Sequence, residues 1–404
     1  MARYLVYTSP ARGHLYPIVP TLLELGRRGH EVHIRTLSSE LATLRELGIH
    51  ASPVASAIEE LPLQDWRGAT PEEGLAAGLR TFADRATYEI PDLEGALEEV
   101  DPDFVLVDVM TLGAAAVAEV AGLPWAQWIP FFQHIFPFTL TASGIDVINV
   151  PREQVGLPTL GSRDLWRAPL YVYLTAPPFL PPTPLPPSVL PVGPGSWEPP
   201  RPTPQWIEHM TAPLVLVAVS SEFQRDDALV ETALEAFSSE DIELVITTAA
   251  HGPERFQRRE RAKIARWLPH AAVLSKAACV VCHGGMGITQ KALGAGVPVC
   301  VVPFGRDQFE VAQRVEHIGA GTWLPPGELH PISLRSAVRE TMSRRAAAQQ
   351  VAAQFGAAGG AEVAANTLES LRVRHHSGLS QRERGRQVLT VPFGSRVSQK
   401  ASLH

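Results

Sequence analysis

CVVCHGGMG, residues 279–287, admits two readings that exclude each other. Cys279, Cys282 and His283 have the C-x-x-C-H spacing that attaches a c-type haem. With Gly284, Gly285 and Gly287 the same residues read as a strand running into a glycine-rich helix start, a place to hold phosphate. The surroundings favour the second. The run is β-branched, and residues i and i+3 of a strand point to opposite faces, so two thiols there could not grip one haem edge. Small cysteines lining a buried parallel strand account for the pattern without haem.

Composition points the same way. The chain has 404 residues, 45% hydrophobic and 19% charged, which is too long for one core and suits two domains. A net charge of -7 gives no support to nucleic-acid binding. RYLVYTSP near the N-terminus reads as a strand rather than a signal peptide. No stretch approaches the roughly 18 uninterrupted apolar residues of a membrane span; VMTLGAAAVAEVAG is broken by Glu119 and reads as a buried helix. Three cysteines fit a reducing cytosol, whereas c-type haem is normally attached after export. The expectation is a cytoplasmic protein with no membrane span.

From both ends of the motif the chain alternates strand and helix. YLVYTSP (4–10), EVHIRTL (31–37), PDFVLVDVM (102–110) and LPWAQWIP (123–130) read as strands, with helices over 17–29, 41–47 and 113–121. The alternation restarts with PLVLVAVSS (213–221), ELVITTA (243–249), CVVCH and VPVCVVPF (297–304), and helices over 228–237, 286–295, 308–318 and 334–371, the last broken at 356–360. Near-continuous Val/Leu strands separated by helices mean parallel sheets covered on both faces, here two doubly wound α/β units. Thirteen prolines between Pro177 and Pro204 forbid regular helix or central strand and read as an ordered linker. The expected division is therefore 1–203 and 212–371, with a linker at about 177–211. The last helix is expected to pack back on the first domain, and 372–404 to form a disordered basic tail.

In open parallel sheets ligands bind beyond the carboxyl ends of the strands, where CVVC-HGGMG sits. Glycines let the backbone approach a diphosphate, and the free N–H groups of a helix start favour negative charge. The motif has company. RWLPH (266–270), CVVCHGGMGITQKALGAGVPVCVVPF (279–304) and Asp307-Gln308 follow one another in an order that resembles the donor-binding signature of the family 1 glycosyltransferases. ARGHLYP (11–17) is similar to that family's opening loop, so the resemblance covers residues 1 to about 370, closest to the actinobacterial natural-product branch.

The resemblance implies a GT-B fold, two facing doubly wound domains, and roles for particular positions. Trp267 would stack on the nucleotide base. His283 with Gly284, Gly285 and Gly287 would hold the diphosphate, and Asp307 and Gln308 would bond the sugar hydroxyls. Ser220-Ser221 only partly matches the family's Gly-Ser/Thr after the first strand of the second half. Ile288 stands where the family has Thr, and Lys291 where it has a ribose-binding Glu; a lysine can donate to a diol but cannot accept from it. Read singly, Trp267 is also an ordinary core aromatic and Asp307 an ordinary helix N-cap.

Displacement at a sugar carbon by a hydroxyl needs that hydroxyl's proton removed as the bond forms, and neutral imidazole suits the task. His14 follows the first strand, in a loop that Pro10, Gly13 and Pro17 are expected to keep out of helix, and it matches the family's base. Asp108, at the end of FVLVDVM, matches the orienting carboxylate; a charge inside an apolar strand needs a partner. Asp101-Pro102-Asp103 spells a metal motif of another glycosyltransferase fold but lies in a turn at the strand's start, so no metal is assigned. Trp66, Phe131, Phe132, His134, Phe136 and Phe138 offer an apolar acceptor surface. The expected activity is inverting transfer of a sugar, deoxysugars included, from a UDP- or dTDP-linked donor to a hydrophobic aglycone, without a tightly bound cofactor. The partners expected are those two small molecules and no nucleic acid, with a homodimer left open. The competing reading is a GT-B-like protein that binds a nucleotide or a partner without transfer, motivated by Ile288 and Lys291. An epimerase or phosphorylase of the same architecture is the third reading.

Overall fold

The strands fall into two sheets, every pairing in them parallel. The computed structural model describes residues 1–68, 70–132, 142–161, 166–210, 213–257 and 260–382. The first sheet holds β1 (Arg3–Tyr7), β2 (Glu31–Thr36), β3 (His50–Pro53), β4 (Phe104–Asp108), β5 (Trp125–Ile129), β6 (Tyr171–Tyr173) and β7 (Val189–Pro191), in the order β3-β2-β1-β4-β5-β6-β7. The second holds β8 (Leu214–Ala218), β9 (Glu243–Thr247), β10 (Ala262–Ala265), β11 (Ala277–Cys282), β12 (Val299–Val301) and β13 (Gly321–Trp323), in the order β10-β9-β8-β11-β12-β13.

The central strands of each sheet are buried on both faces, which is why they read as apolar runs, whereas β2, β3 and β10 toward one edge are only partly buried. Along β8, Leu214, Leu216 and Ala218 pack into one core while Val215 and Val217 pack into the other. The cysteines obey the same alternation. Cys279 belongs to one face and Cys282 to the opposite one, so they share no ligand. Burial pushes the Cys282 thiol up to about 11 and Cys300 to about 12, leaving both unreactive.

Several elements differ from the sequence expectations. The first helix spans Arg12–Arg27 rather than starting at Pro17, and it carries Pro17 and Pro20 inside. An interior proline costs about 3 kcal/mol, but burying a large aliphatic side chain contributes roughly 1.5–3 kcal/mol. Leu15, Ile18, Val19, Leu22 and Leu25 are all fully buried, so tertiary packing overrides propensity. A 30-residue helix, Pro71–Val100, fills a stretch left unassigned in the sequence. Its start does have a signal: Thr70 Oγ1 caps the Glu73 N–H at 3.2 Å, and Pro71 occupies the first position. The proline-rich segment contributes β7, an edge strand, the one sheet position where missing N–H groups are tolerated.

The C-terminal helix runs Gly360–Arg382, past the expected end at Leu371; residues 383–404 lie outside the described ones. It returns to the first lobe. Ala364, Ala365 and Leu368 enter the core around β1, and Glu369 bonds both Arg28 and His30 at 2.7 Å. No helix among the described residues is long and apolar enough to cross a membrane.

Candidate active site

Strand order reverses between β1 and β4 in one lobe and between β8 and β11 in the other, which opens a crevice beyond the carboxyl ends in each. The two crevices share a cleft of about 750 Å³ lined from both lobes, with Ser9, His14 and Phe131 on one side and Ser220, Trp267 and His283 on the other.

β1 delivers the chain to His14, in the first turn of the Arg12–Arg27 helix; the expected loop is thus replaced by a helix start. His14 Nδ1 lies 2.7 Å from Asp108 Oδ2. Asp108 ends β4 and is fully buried, a costly place for a carboxylate. Backbone donors offset that cost: Ser9 N donates to Oδ2 at 3.2 Å and Met110 N to Oδ1 at 2.9 Å. With Nδ1 donating to Asp108, the neutral ring keeps its lone pair on Nε2. The His14 side chain is 20% exposed and lines the cleft. The Asp101–Asp103 pair sits at the other end of the sheet, where Asp103 Oδ2 accepts from Arg3 N at 2.8 Å and Asp101 pairs with the Arg3 guanidinium at 2.7 Å.

Across the cleft, β11 passes into the Met286–Gly294 helix through His283, Gly284 and Gly285. Gly284 has φ +90°, and a Cβ there would meet Val301 Cγ1 at 2.8 Å. A Cβ on Gly285 would meet His283 Nε2 at 2.4 Å, so glycine is what lets the ring lie over the loop. Gly287 faces open space, with nothing within 4 Å of an added Cβ. Burial holds the His283 imidazole below its ordinary value, with Asp226 opposing. Neutral at pH 7, it carries no standing positive charge and a single ring proton, which serves Nδ1 or Nε2 but not both. Its Nδ1 faces the Ala218 carbonyl at 3.4 Å.

The loops after β8 and β12 are tied by one buried network. His251 Nε2 lies 2.8 Å from Asp226 Oδ1, while Ser220 N (2.6 Å) and Gln224 Nε2 (3.2 Å) donate to Oδ2. Gln308 Nε2 donates to Gln224 Oε1 at 2.7 Å, and Gln308 Oε1 accepts from Phe304 N at 2.8 Å. Gln308 is therefore occupied internally. Asp307 accepts Phe132 N from the other lobe at 2.8 Å, and burial pushes its carboxyl up to about 6.

A family model described as erythromycin biosynthesis protein CIII-like, C-terminal domain, matches residues 231–371. The 4'-demethylrebeccamycin synthase of Lentzea aerocolonigenes is 31% identical over 388 residues, covering 84% of this chain and 92% of its own. The chain belongs to the natural-product glycosyltransferases. The solved glycotransferase of kitacinnamycin shares the architecture with a TM-score of 0.72 at 25% identity, over 92% of this chain and 98% of that one. Glycosyltransferase VinC, crystallised with dTDP, gives 0.72 at 22% identity over 92% and 100%. The enzyme is a nucleotide-sugar-dependent glycosyltransferase of GT-B fold.

Not every expected acceptor residue of this glycosyltransferase reaches the cleft. Phe131 does, its ring centroid 6.0 Å from that of His14. Trp66 lines the cleft but also bridges the lobes, edge-on to Phe223 at 4.9 Å and under Arg225 at 4.6 Å. Phe132 turns away: it is 2% exposed, packs against Phe179 at 6.0 Å and joins the second lobe's core, because its backbone is pinned to Asp307. His134, Phe136 and Phe138 lie outside the described residues.

Other cleft groups of the glycosyltransferase escape a sequence reading. Arg12 places its guanidinium 5.2 Å from the Trp267 ring centroid, over a face suited to a base. Lys291 donates to Glu198 Oε2 at 3.0 Å and to the Trp197 carbonyl at 3.2 Å, tying the proline-rich linker to the Met286–Gly294 helix. Arg306, with φ +56°, pairs with Asp65 across the cleft at 2.7 Å. Only Lys291 had a signal, as a departure from the motif.

Proposed function

We propose that this glycosyltransferase moves a sugar with inversion from a nucleoside diphosphate to a hydroxyl of a flat hydrophobic aglycone. The observation that carries this reading is the His14–Asp108 pair, 2.7 Å apart and opening on the cleft that His283 and Gly285 line. The acceptor hydroxyl gives its proton to His14 Nε2 while its oxygen attacks the anomeric carbon. The bond from that carbon to phosphate breaks, and the nucleoside diphosphate leaves with the electron pair. Asp108 steadies the imidazolium. An α-linked D-configured donor then yields a β-glycoside.

The leaving charge falls on the N–H groups at the start of the Met286–Gly294 helix and on His283. Trp267 stacks on the base, which requires Arg12 to move aside or to shift with it. Asp307 and Gln308 address the sugar after exchanging part of their present bonds. For the donor we favour a dTDP-sugar over a UDP-sugar. Lys291 provides no acceptor for a ribose diol, and a 2'-deoxyribose has no diol to satisfy. The dTDP bound by VinC supports the same choice.

The non-catalytic reading rests on Ile288 and Lys291 and leaves the buried Asp108 and its bond to His14 without a purpose. His14→Ala decides between the two. We expect kcat to fall about 10²–10⁴-fold, the usual contribution of a general base, with the Kd for dTDP unchanged within about twofold. Undiminished turnover in this variant removes His14 from the reaction.

A further inference from the structure

The acceptor side of the cleft carries a group that apolar recognition leaves unexplained. Leu79, Phe82, Met110, Leu112, Phe131 and Ile148 give that wall its apolar character. Arg85, on the Pro71–Val100 helix, lines the same wall and is only 6% exposed. Its Nε and Nη2 both donate to one acceptor, the Leu61 carbonyl, at 3.1 and 2.5 Å. Among the described residues Nη1 has no acceptor and the guanidinium forms no ion pair; Glu89 and Glu222 act on it only through space.

Neither carboxylate is placed to neutralise it. Glu89 Oε2 accepts the Gly113 N–H at 2.8 Å, and burial pushes its carboxyl up to about 8, which keeps it largely protonated near neutral pH. Glu222 stands on the opposite lobe, in the turn after Ser220, facing Arg306, Arg12 and His14 as well. Nη1 is not sealed in the protein but open to the cleft, so it is the donor that a ligand oxygen can reach.

We propose that Arg85 binds a carboxylate or carbonyl oxygen carried by the aglycone. The acceptor class is then a flat apolar molecule with one such group set away from the hydroxyl that receives the sugar. This rests on reading the wall as the acceptor site. Charge-assisted contact with a planar fork also orients the ring system, which determines the hydroxyl presented to His14.

The test uses two probes of nearly equal size, 2-naphthol and 6-hydroxy-2-naphthoate, with affinities measured by tryptophan fluorescence on the full chain in the presence of dTDP. The wild-type enzyme should bind the naphthoate about tenfold or more tightly than the naphthol. Arg85→Met should abolish that preference by weakening the naphthoate alone, and Arg85→Lys should keep part of it. A role confined to bracing the Leu61 loop would weaken both probes together. Equal affinities in the wild-type enzyme overturn the proposal even if the methionine variant fails to fold, and so does a preference that survives in Arg85→Met. Failure of the wild-type enzyme to bind either probe overturns the acceptor-site reading, a distinct result that leaves the His14 kinetics standing.

Discussion

In the proposed mechanism Asp108 makes a directed base of His14 by occupying one of its two nitrogens. The prediction that follows concerns the tautomer. In Asp108→Asn the amide can donate to Nδ1, which moves the ring proton to Nε2 and removes the lone pair that faces the acceptor. Turnover should fall about 10³–10⁴-fold while the Kd for dTDP stays within a few-fold, as steady-state kinetics and calorimetry on one preparation would show. A loss of dTDP affinity as large as the loss of rate would mean that Asp108 supports the fold of the loop and not the base. Both residues were legible in the sequence because a strand's carboxyl end is where such groups gather. Asp226 and His251 were not. Their pairing is 25 residues apart in the chain and fully buried, and nothing local distinguishes it from two solvated side chains.

The junction between β11 and the Met286–Gly294 helix is the donor site of the proposed mechanism, and its glycines are not equivalent. Gly284→Ala puts a methyl against Val301 Cγ1 and the Gln308 carbonyl at a left-handed φ of +90°, so we expect a loss of about 1–3 kcal/mol in stability. Gly285→Ala only displaces the His283 ring and should act on the donor KM. Gly287→Ala meets no protein atom within 4 Å and should leave thermal stability unchanged. Equal melting temperatures for the Gly284 variant and wild type would refute this packing. The same junction implies a pH dependence. His283 is held below its ordinary value in the free enzyme, with Nδ1 turned to the Ala218 carbonyl. A diphosphate beside Nε2 raises that value, so binding takes up a proton. The extra affinity is complete below the free-enzyme value and is lost as pH climbs through the bound-state value. Calorimetry of dTDP binding in buffers of different ionisation enthalpy should show this uptake at mildly acid pH; none at any pH would mean that the ring stays neutral and gives up its bond to the Ala218 carbonyl to donate through Nε2. At this scale the eight strands β1, β2, β4, β5, β8, β9, β11 and β12 were legible, most of them as apolar runs, whereas the short β3, β6, β7, β10 and β13 toward the sheet margins were not. The body of the Arg12–Arg27 helix was legible as 17–29 but not its first turn, because a proline at 17 reads as a helix start until packing is known. Nothing read from the sequence assigned the Pro71–Val100 helix.

Two lobes make one molecule here through contacts that no local pattern reveals. The linker is anchored by Lys291 and Glu198, and the Gly360–Arg382 helix leaves the second lobe to complete the first lobe's core. Leu368→Ala should therefore cost about 2–5 kcal/mol, seen in urea unfolding as destabilisation of the lobe around β1 although residue 368 is remote from it in sequence. An unchanged midpoint would contradict that docking. Two parallel sheets were expected from alternating strand and helix, and the parallel pairing agrees with that. How the lobes meet was out of reach, because Arg306–Asp65 and Asp307–Phe132 join segments 241 and 175 residues apart.

The central claim is spatial: imidazole 14 and the glycine turn at 284–285 serve the two ends of one reacting pair. A crystal structure of the His14→Ala enzyme with an intact dTDP-sugar tests it most directly. The account predicts pyrophosphate against the amides after His283, with the anomeric carbon facing the vacated position 14 at a separation that one acceptor oxygen can bridge. A nucleotide seated outside the cleft, or a sugar pointing away from position 14, would contradict it.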